Sequence, residues 1–239
     1  MRALAAGLAL GVVAGAAQAD CRLALVLALD VSASVNAVEY DLQALGMATA
    51  LTSPEVVRAM LAPGAPVAVA VYHWSGPGDH ALVADWTVIE GEAALNRLAG
   101  TLAAYPRRVT FDGRTAIGSS LSYAASLLGR APDCRRQVID IAADGENNAA
   151  ASPETLRDSA RLRRVTINAL AVAGERALGK SEDWLRRYLE DSVIRGPGAF
   201  VEVADGYGDF ARAMERKLLR ELDEMAVSGL AAGDGHDGG

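Results

Sequence analysis

Three short clusters in this 239-residue chain bring carboxylates and hydroxyls together at spacings that can converge on one point. The first is Asp30-Val31-Ser32-Ala33-Ser34, which directly follows an apolar run. In an extended segment, residues at i, i+2 and i+4 point the same way, so Asp30, Ser32 and Ser34 share one side while Val31 and Ala33 take the other, facing the core. The second is Gly113-Arg114-Thr115-Ala116-Ile117-Gly118, a loop running into a helix, and the third is Asp144-Gly145-Glu146-Asn147-Asn148, past another apolar run. Two carboxylates (Asp30, Asp144) and three hydroxyls (Ser32, Ser34, Thr115) form an all-oxygen donor set, which suits a hard divalent cation such as Mg²⁺ or Mn²⁺. Taken singly, each cluster has an ordinary explanation. Asp and Ser form turns after strands, Thr115 can cap the helix that follows it, and Asp-Gly is a common turn. Their joint occurrence at the ends of apolar runs is what points to a site.

The elements that must position these clusters alternate between strands and helices. Arg22–Leu29 is a near-continuous apolar run that reads as a strand buried on both faces. Asn36–Leu51 has helical spacing, with Val38, Leu42, Leu45 and Ala48 or Thr49 recurring at three and four. Val67–Trp74 and His80–Ile89 read as a hairpin around Ser75-Gly76-Pro77-Gly78-Asp79. Glu92–Ala104 and Ala116–Leu128 are helical, and Gln137–Ala143 is a further buried strand. A helix opens at Ser152-Pro153-Glu154. Val165–Val172, Glu182–Ser192, Ala199–Val203 and Tyr207–Glu224 complete the pattern as strand, helix, strand and helix, the last with Phe210, Met214, Leu218 and Leu219 on one side. This order predicts an α/β fold, a doubly wound and mostly parallel six-stranded sheet with one antiparallel edge strand. In such sheets ligands bind beyond the carboxyl ends of strands, where all three clusters fall.

Composition narrows the function. A formal net charge of −7 gives no basic excess with which to displace counterions from nucleic acid or to bind anionic lipid. Residues 1–19 read as a signal peptide: Met1-Arg2, an uncharged run from Ala3 to Ala17, and the small-x-small sequence Ala17-Gln18-Ala19. The run is shorter than the roughly 20 residues of a membrane span, so stable membrane insertion is not expected. The chain is expected to be exported, to the periplasm or beyond, with one domain over 20–227 and a disordered Gly/Asp tail over 228–239. His236 in that tail, with Asp234 and Asp237, lacks the pre-organisation a metal site needs. In an oxidising compartment the two cysteines, Cys21 and Cys134, are expected to pair. Cys21 stands nine residues before Asp30 and Cys134 ten before Asp144, so if both aspartates cap neighbouring strands, both cysteines meet at the opposite end.

The combination of Asp-x-Ser-x-Ser after the first strand, Thr115 in a Gly-containing loop and Asp144-Gly145 after the fourth resembles the metal-ion-dependent adhesion site of von Willebrand factor type A domains. The resemblance spans roughly Arg22 to Glu224, and Val71–Gly76 together with Asp144–Asn148 is similar to an uncharacterised subgroup of exported bacterial proteins. It implies that Ser32, Ser34 and Thr115 reach the metal directly, and that Asp30 and Asp144 act through bound water or as acceptors behind it. A cation held by neutral hydroxyls keeps much of its charge and favours an anionic further ligand, which such domains take from a partner protein's Glu or Asp. The resemblance therefore implies a protein-binding module, not an enzyme, whose partner presents an acidic residue. Arg114, with Arg107 and Arg108 nearby, is positioned to attract that partner, and Glu146, Asn147 and Asn148 beside the site form either a lining of the contact or a plain solvated loop. A metal-dependent hydrolase using the same site and a metal-free scaffold are the competing readings. His73 and His80, flanking the hairpin turn, and Trp74, Trp86 and Trp184 read as packing residues.

Overall fold

The computed structural model describes residues 21–107, 113–173 and 183–231. The expected signal peptide, Arg108 and the tail from residue 232 onward, including His236, lie outside the described residues.

Six strands form one sheet: β1 (Cys21–Asp30), β2 (Val67–Trp74), β3 (His80–Ile89), β4 (Cys134–Ala143), β5 (Thr166–Val172) and β6 (Val201–Ala204). Their spatial order is β3-β2-β1-β4-β5-β6, with every neighbouring pair parallel except β2 and β3. The chain winds outward from β1 in one direction and then returns to build from β4 in the other, so the order reverses between β1 and β4. That reversal leaves a crevice at their carboxyl ends.

Among the described residues seven helices cover the two faces. α1 (Ala37–Leu51), α2 (Pro54–Met60), α3 (Glu92–Ala104) and α7 (Phe210–Ala231) pack on one side with Leu23, Leu25, Leu27 and Leu29 of β1. On the other, α4 (Ile117–Leu128) and α6 (Trp184–Ser192) pack with Ala24, Val26 and Ala28, and Leu156 of the short α5 (Pro153–Arg157) joins them. The continuous apolar run of β1 is thus a strand buried on both faces, with alternate residues serving different helix layers. Cys21 and Cys134 are in register on β1 and β4, with Cα atoms 4.5 Å apart, and form the expected disulfide.

Three features differ from the sequence reading. The apolar stripe that marks α1 does not face the core: Val38, Leu42 and Leu45 are 67%, 41% and 55% exposed. The packed face is Tyr40, Gln43, Ala44, Met47, Ala50 and Leu51, whose spacing is equally helical but whose character is mixed. α2 was not anticipated, although its signals are ordinary ones: Ser53 caps it by accepting from Val56 N, and Pro54 opens it. The last helix begins with a single 3₁₀ turn at Tyr207–Asp209, and α7 then runs through Ala231, four residues into the segment expected to be tail.

The interior also holds charge that the apolar pattern concealed. Lys217 of α7 lies 2.7 Å from both Asp140 of β4 and Glu221, and Asn168 of β5 donates to Glu221 at 2.9 Å. All four are fully buried. Burial raises Asp140 to a pKa of about 7, even with the Lys217 ammonium beside it pulling the other way.

Candidate metal centre

The end of β1 turns as soon as Asp30 has been placed. Val35 N donates to Ser32 O at 3.0 Å, so Ser32–Val35 is a turn and not an extended continuation. Val31 is buried as expected, but Ala33 is exposed. The hydroxyls converge all the same: Ser32 Oγ and Ser34 Oγ are 2.7 Å apart. Asn36 then opens α1 through a capping box, accepting from Val38 N and Glu39 N while Glu39 accepts from Asn36 N. The helix start fixes where the serine loop must end.

The five donor residues come together at the crevice between β1 and β4. Ser34 Oγ donates to Asp144 Oδ1 at 2.7 Å, and Thr115 Oγ1 lies 3.5 Å from Ser32 Oγ as donor. With its proton committed to Asp144, Ser34 must accept from Ser32, so the hydroxyls form a relay from Thr115 through Ser32 and Ser34 to Asp144. Asp30 Oδ1 accepts from Ser32 N at 2.8 Å, while Gln43 of α1 donates to the Asp30 carbonyl at 2.9 Å. Asp30, Ser32, Thr115 and Asp144 are buried and Ser34 is half-buried.

Thr115 does not cap α4. The cap position is Ala116, with no side-chain hydrogen bond, which leaves the Thr115 hydroxyl to the cluster. Its loop is held by Ala33, Asn148 and Ser75, the last accepting from Ala116 N at 3.0 Å and donating from Oγ to Arg114 O at 3.2 Å. Ala33 N donates to Gly113 O at 2.9 Å, and Gly113 sits at φ +61°, where a Cβ would also come within 2.8 Å of Ala33 Cβ. From the other side, Thr115 N donates to Asn148 Oδ1 and Asn148 N donates to Thr115 O, both at 2.9 Å. Close packing of α4 against the loop beyond Asn148 needs glycine at 118, since a Cβ there would fall 2.2 Å from Ala151 O.

The electrostatics fit a cation. Asp30 Oδ2 is buried with no hydrogen-bond partner among the described residues. Burial first, and then the charge of Asp144, hold Asp30 well above the usual carboxylate range. Tyr207, in the 3₁₀ turn before α7, is pushed up by burial and then by Asp144 and Asp30. Two carboxylates in a crevice and a buried oxygen without a donor are what a bound divalent ion would relieve. Among the described residues no three His, Cys, Asp or Glu side chains cluster. The oxygens gathered here belong to two carboxylates and three hydroxyls.

A pocket of about 220 Å³ opens beside these oxygens, lined by Ser34, Thr115, Asp144, Glu146, Asn148 and Trp184. Asn147 also borders it, but its side chain is committed, accepting from Gly118 N at 3.3 Å and donating to Ala149 O at 3.1 Å. Arg114 is exposed and does not border the pocket, and Arg107 donates to Val35 O at 2.6 Å. The sequence reading did not identify the roles of Asn148, Gln43, Tyr207 and Trp184. Asn148 lay within a quoted cluster, but nothing in the local pattern of the other three marks them. His73 and His80 are packing residues on opposite faces: His73 meets Tyr40 and Tyr105 edge-on, whereas His80 stacks on Tyr123 at 4.6 Å.

The fold is a doubly wound α/β sheet. It is similar to proximal thread matrix protein 1 (PTMP1) from the mussel byssus, at 15% identity over 86% of this chain and 49% of that one, with a TM-score of 0.62. A second structure of that protein, described as having a zinc-occupied MIDAS motif, matches at 14% identity and TM-score 0.60, with the same coverage of both chains. The pilus adhesin SpaC from Lactobacillus rhamnosus GG matches at 15% identity and TM-score 0.57, over 86% of this chain and 30% of that one. The chain thus spans about half the length of the mussel protein and less than a third of the adhesin. No curated protein matches the sequence. Across residues 20–226 the sequence matches the family described as "Protein of unknown function (DUF1194)", and the chain belongs to that family.

Proposed function

We propose that this protein is an exported binding module that holds a divalent cation, Mg²⁺ or Mn²⁺, and captures a partner protein through a carboxylate placed on that ion. The observation that carries the reading is the convergence of Ser32, Ser34, Thr115, Asp30 and Asp144, with a buried Asp30 oxygen left without a hydrogen-bond donor. In this reading Ser32, Ser34 and Thr115 hold the ion by their hydroxyls, and the two aspartates balance its charge. The ion supplies a positive centre for an anionic ligand, and the neutral donors leave that charge largely unspent. The zinc-occupied MIDAS motif named for the mussel protein supports a divalent ion, and the adhesin supports a binding role.

Binding, and not hydrolysis, is supported by the structural neighbours, a byssal matrix protein and a pilus adhesin. Export is supported by the Cys21–Cys134 disulfide and by the Ala17-Gln18-Ala19 sequence. Among the described residues no helix is long and apolar enough to cross a membrane.

Equilibrium dialysis of the purified chain against Mn²⁺ tests the reading. One ion per chain is expected, lost in Ser34→Ala and Asp144→Ala, while Glu55→Gln on distant α2 retains it. Retention by the Ser34 and Asp144 variants would contradict the proposed ligands.

A further inference from the structure

The apolar stripe of α1 faces away from the core. Five large apolar side chains among the described residues are more than a third exposed, and three of them, Val38, Leu42 and Leu45, lie on this one helix. Thr49, also exposed, carries the stripe one turn further. Its hydroxyl donates to Leu45 O at 2.8 Å, so its proton is already committed within the helix and its methyl group is left to the stripe. Positions 38, 42, 45 and 49 follow one another at intervals of four, three and four, the spacing of a coiled-coil seam over two heptads.

That spacing reads the same in both directions. When two copies of α1 lie antiparallel across a two-fold axis, Leu42 of each meets Leu45 of the other and Val38 meets Thr49, so every contact occurs twice. Charge sets the direction. Glu39 and Asp41 are the charged residues of α1, both in its first half, and the stretch 42–51 carries none. Parallel pairing would bring the acids of the two copies together. Antiparallel pairing sets them against uncharged turns and brings opposite ends of the helix dipoles together. A stripe that is its own complement in spacing and in charge fits a second copy of this chain. Four side chains on a helix of 15 residues cover less than the roughly 800 Å² per partner of a standard interface, so the association is weak and concentration-dependent.

We propose that α1 is a self-association surface, through which two copies of this chain pair antiparallel along Val38, Leu42, Leu45 and Thr49. Asn36, which caps α1, follows the serine loop closely, so the two serine loops lie at opposite ends of the helix pair. The inference rests on α1 alone and stands whether or not that loop holds a metal.

Sedimentation equilibrium of the purified chain in EDTA, from about 1 to 300 µM, tests it. A reversible monomer–dimer equilibrium is expected, with a Kd on the order of 10 to 100 µM. Leu42→Glu and Leu45→Gln should each weaken it about tenfold, with circular dichroism and Tm at low concentration unchanged. Thr49→Lys reads the direction. Its ammonium falls near Asp41 of the other copy in an antiparallel pair and near its own counterpart in a parallel one. It should therefore tighten the dimer about threefold, a gain that fades in about 0.5 M salt. A chain that stays monomeric throughout, which would leave the stripe to a different protein, overturns the proposal. So does a dimer that keeps its strength in both leucine variants, or one that Thr49→Lys weakens or leaves unchanged.

Discussion

Cys21 and Cys134 face each other across β1 and β4 at one end of the sheet, and Asp30 and Asp144 stand at the other end of the same two strands. The disulfide and the candidate metal centre are thus opposite ends of one parallel pair, the pair at which the strand order reverses. The bonded cysteines are in register on the two strands whose far ends carry the aspartates. The disulfide closes a loop with a sequence separation of 113 residues. By chain-entropy reasoning, a loop near this length contributes about 4 to 5 kcal/mol, most of it by restricting the unfolded chain. Urea unfolding of the double variant Cys21→Ser/Cys134→Ser should show a loss approaching that size. A loss below about 1 kcal/mol would mean that the strands hold their register without it.

Asn148 holds the Thr115 backbone through two reciprocal hydrogen bonds while its own amide lies outside the oxygen cluster. Asn148→Ala should cost about 1 to 2 kcal/mol of stability, and it should weaken metal binding even though every donor residue is intact. Denaturant titration combined with Mn²⁺ dialysis reads both. Undiminished metal binding would show that Ala33 and Ser75 hold the Thr115 loop in place without Asn148.

The buried group of Asp140, Lys217 and Glu221 gives stability a pH dependence with a definite sign. Asp140 is raised to about 7 in the folded protein from its ordinary value of 3.8. Between those values the folded state holds more protons than the unfolded one, so this group's contribution to stability falls as pH rises from about 4 to 7. Asp140→Asn should flatten that part of the stability curve measured by urea unfolding. Lys217→Met, which leaves two acids buried without their cation, should cost about 3 to 5 kcal/mol near neutral pH, and less at pH 5.

The exposed stripe of α1 separates two readings of the same helix. Val38→Ser and Leu45→Gln should each change stability by less than about 0.5 kcal/mol, because neither side chain is in the core. Met47→Ala on the packed face should cost about 2 to 5 kcal/mol. Similar costs for Leu45→Gln and Met47→Ala, by chemical denaturation, would contradict this orientation of α1.

Much of this was legible before any coordinates. Apolar runs two-sided in their hydrophobicity marked β1 and β4, and turn chemistry at 75–79 marked the hairpin. The counts from Cys21 to Asp30 and from Cys134 to Asp144 anticipated both the pairing and the shared sheet edge. What was not legible has physical reasons. The two faces of α1 have the same period, so periodicity alone could not say which one packs; the face that does meets the sheet, α3 and α7, with Phe210 close against Gly46. Asp140 stands in an apolar strand, but its partners are 77 and 81 positions away on α7. The serine hydroxyls meet through a turn, not through strand alternation, so the right convergence was read from the wrong local geometry. Trp184 reached the pocket through the tertiary placement of α6, which no nearby residue announces.

The central claim is that Asp30, Ser32, Ser34, Thr115 and Asp144 bind a divalent ion, and thermal unfolding against Mg²⁺ and Mn²⁺ tests it most directly. Binding to the folded state alone raises stability by about 2.7 kcal/mol at a hundredfold excess over Kd. The wild-type chain should show a metal-dependent rise in Tm that both Asp30→Ala and Thr115→Ala lose, each compared with its own metal-free Tm. No rise for the wild type at millimolar metal, or a rise that both variants keep, would contradict the account.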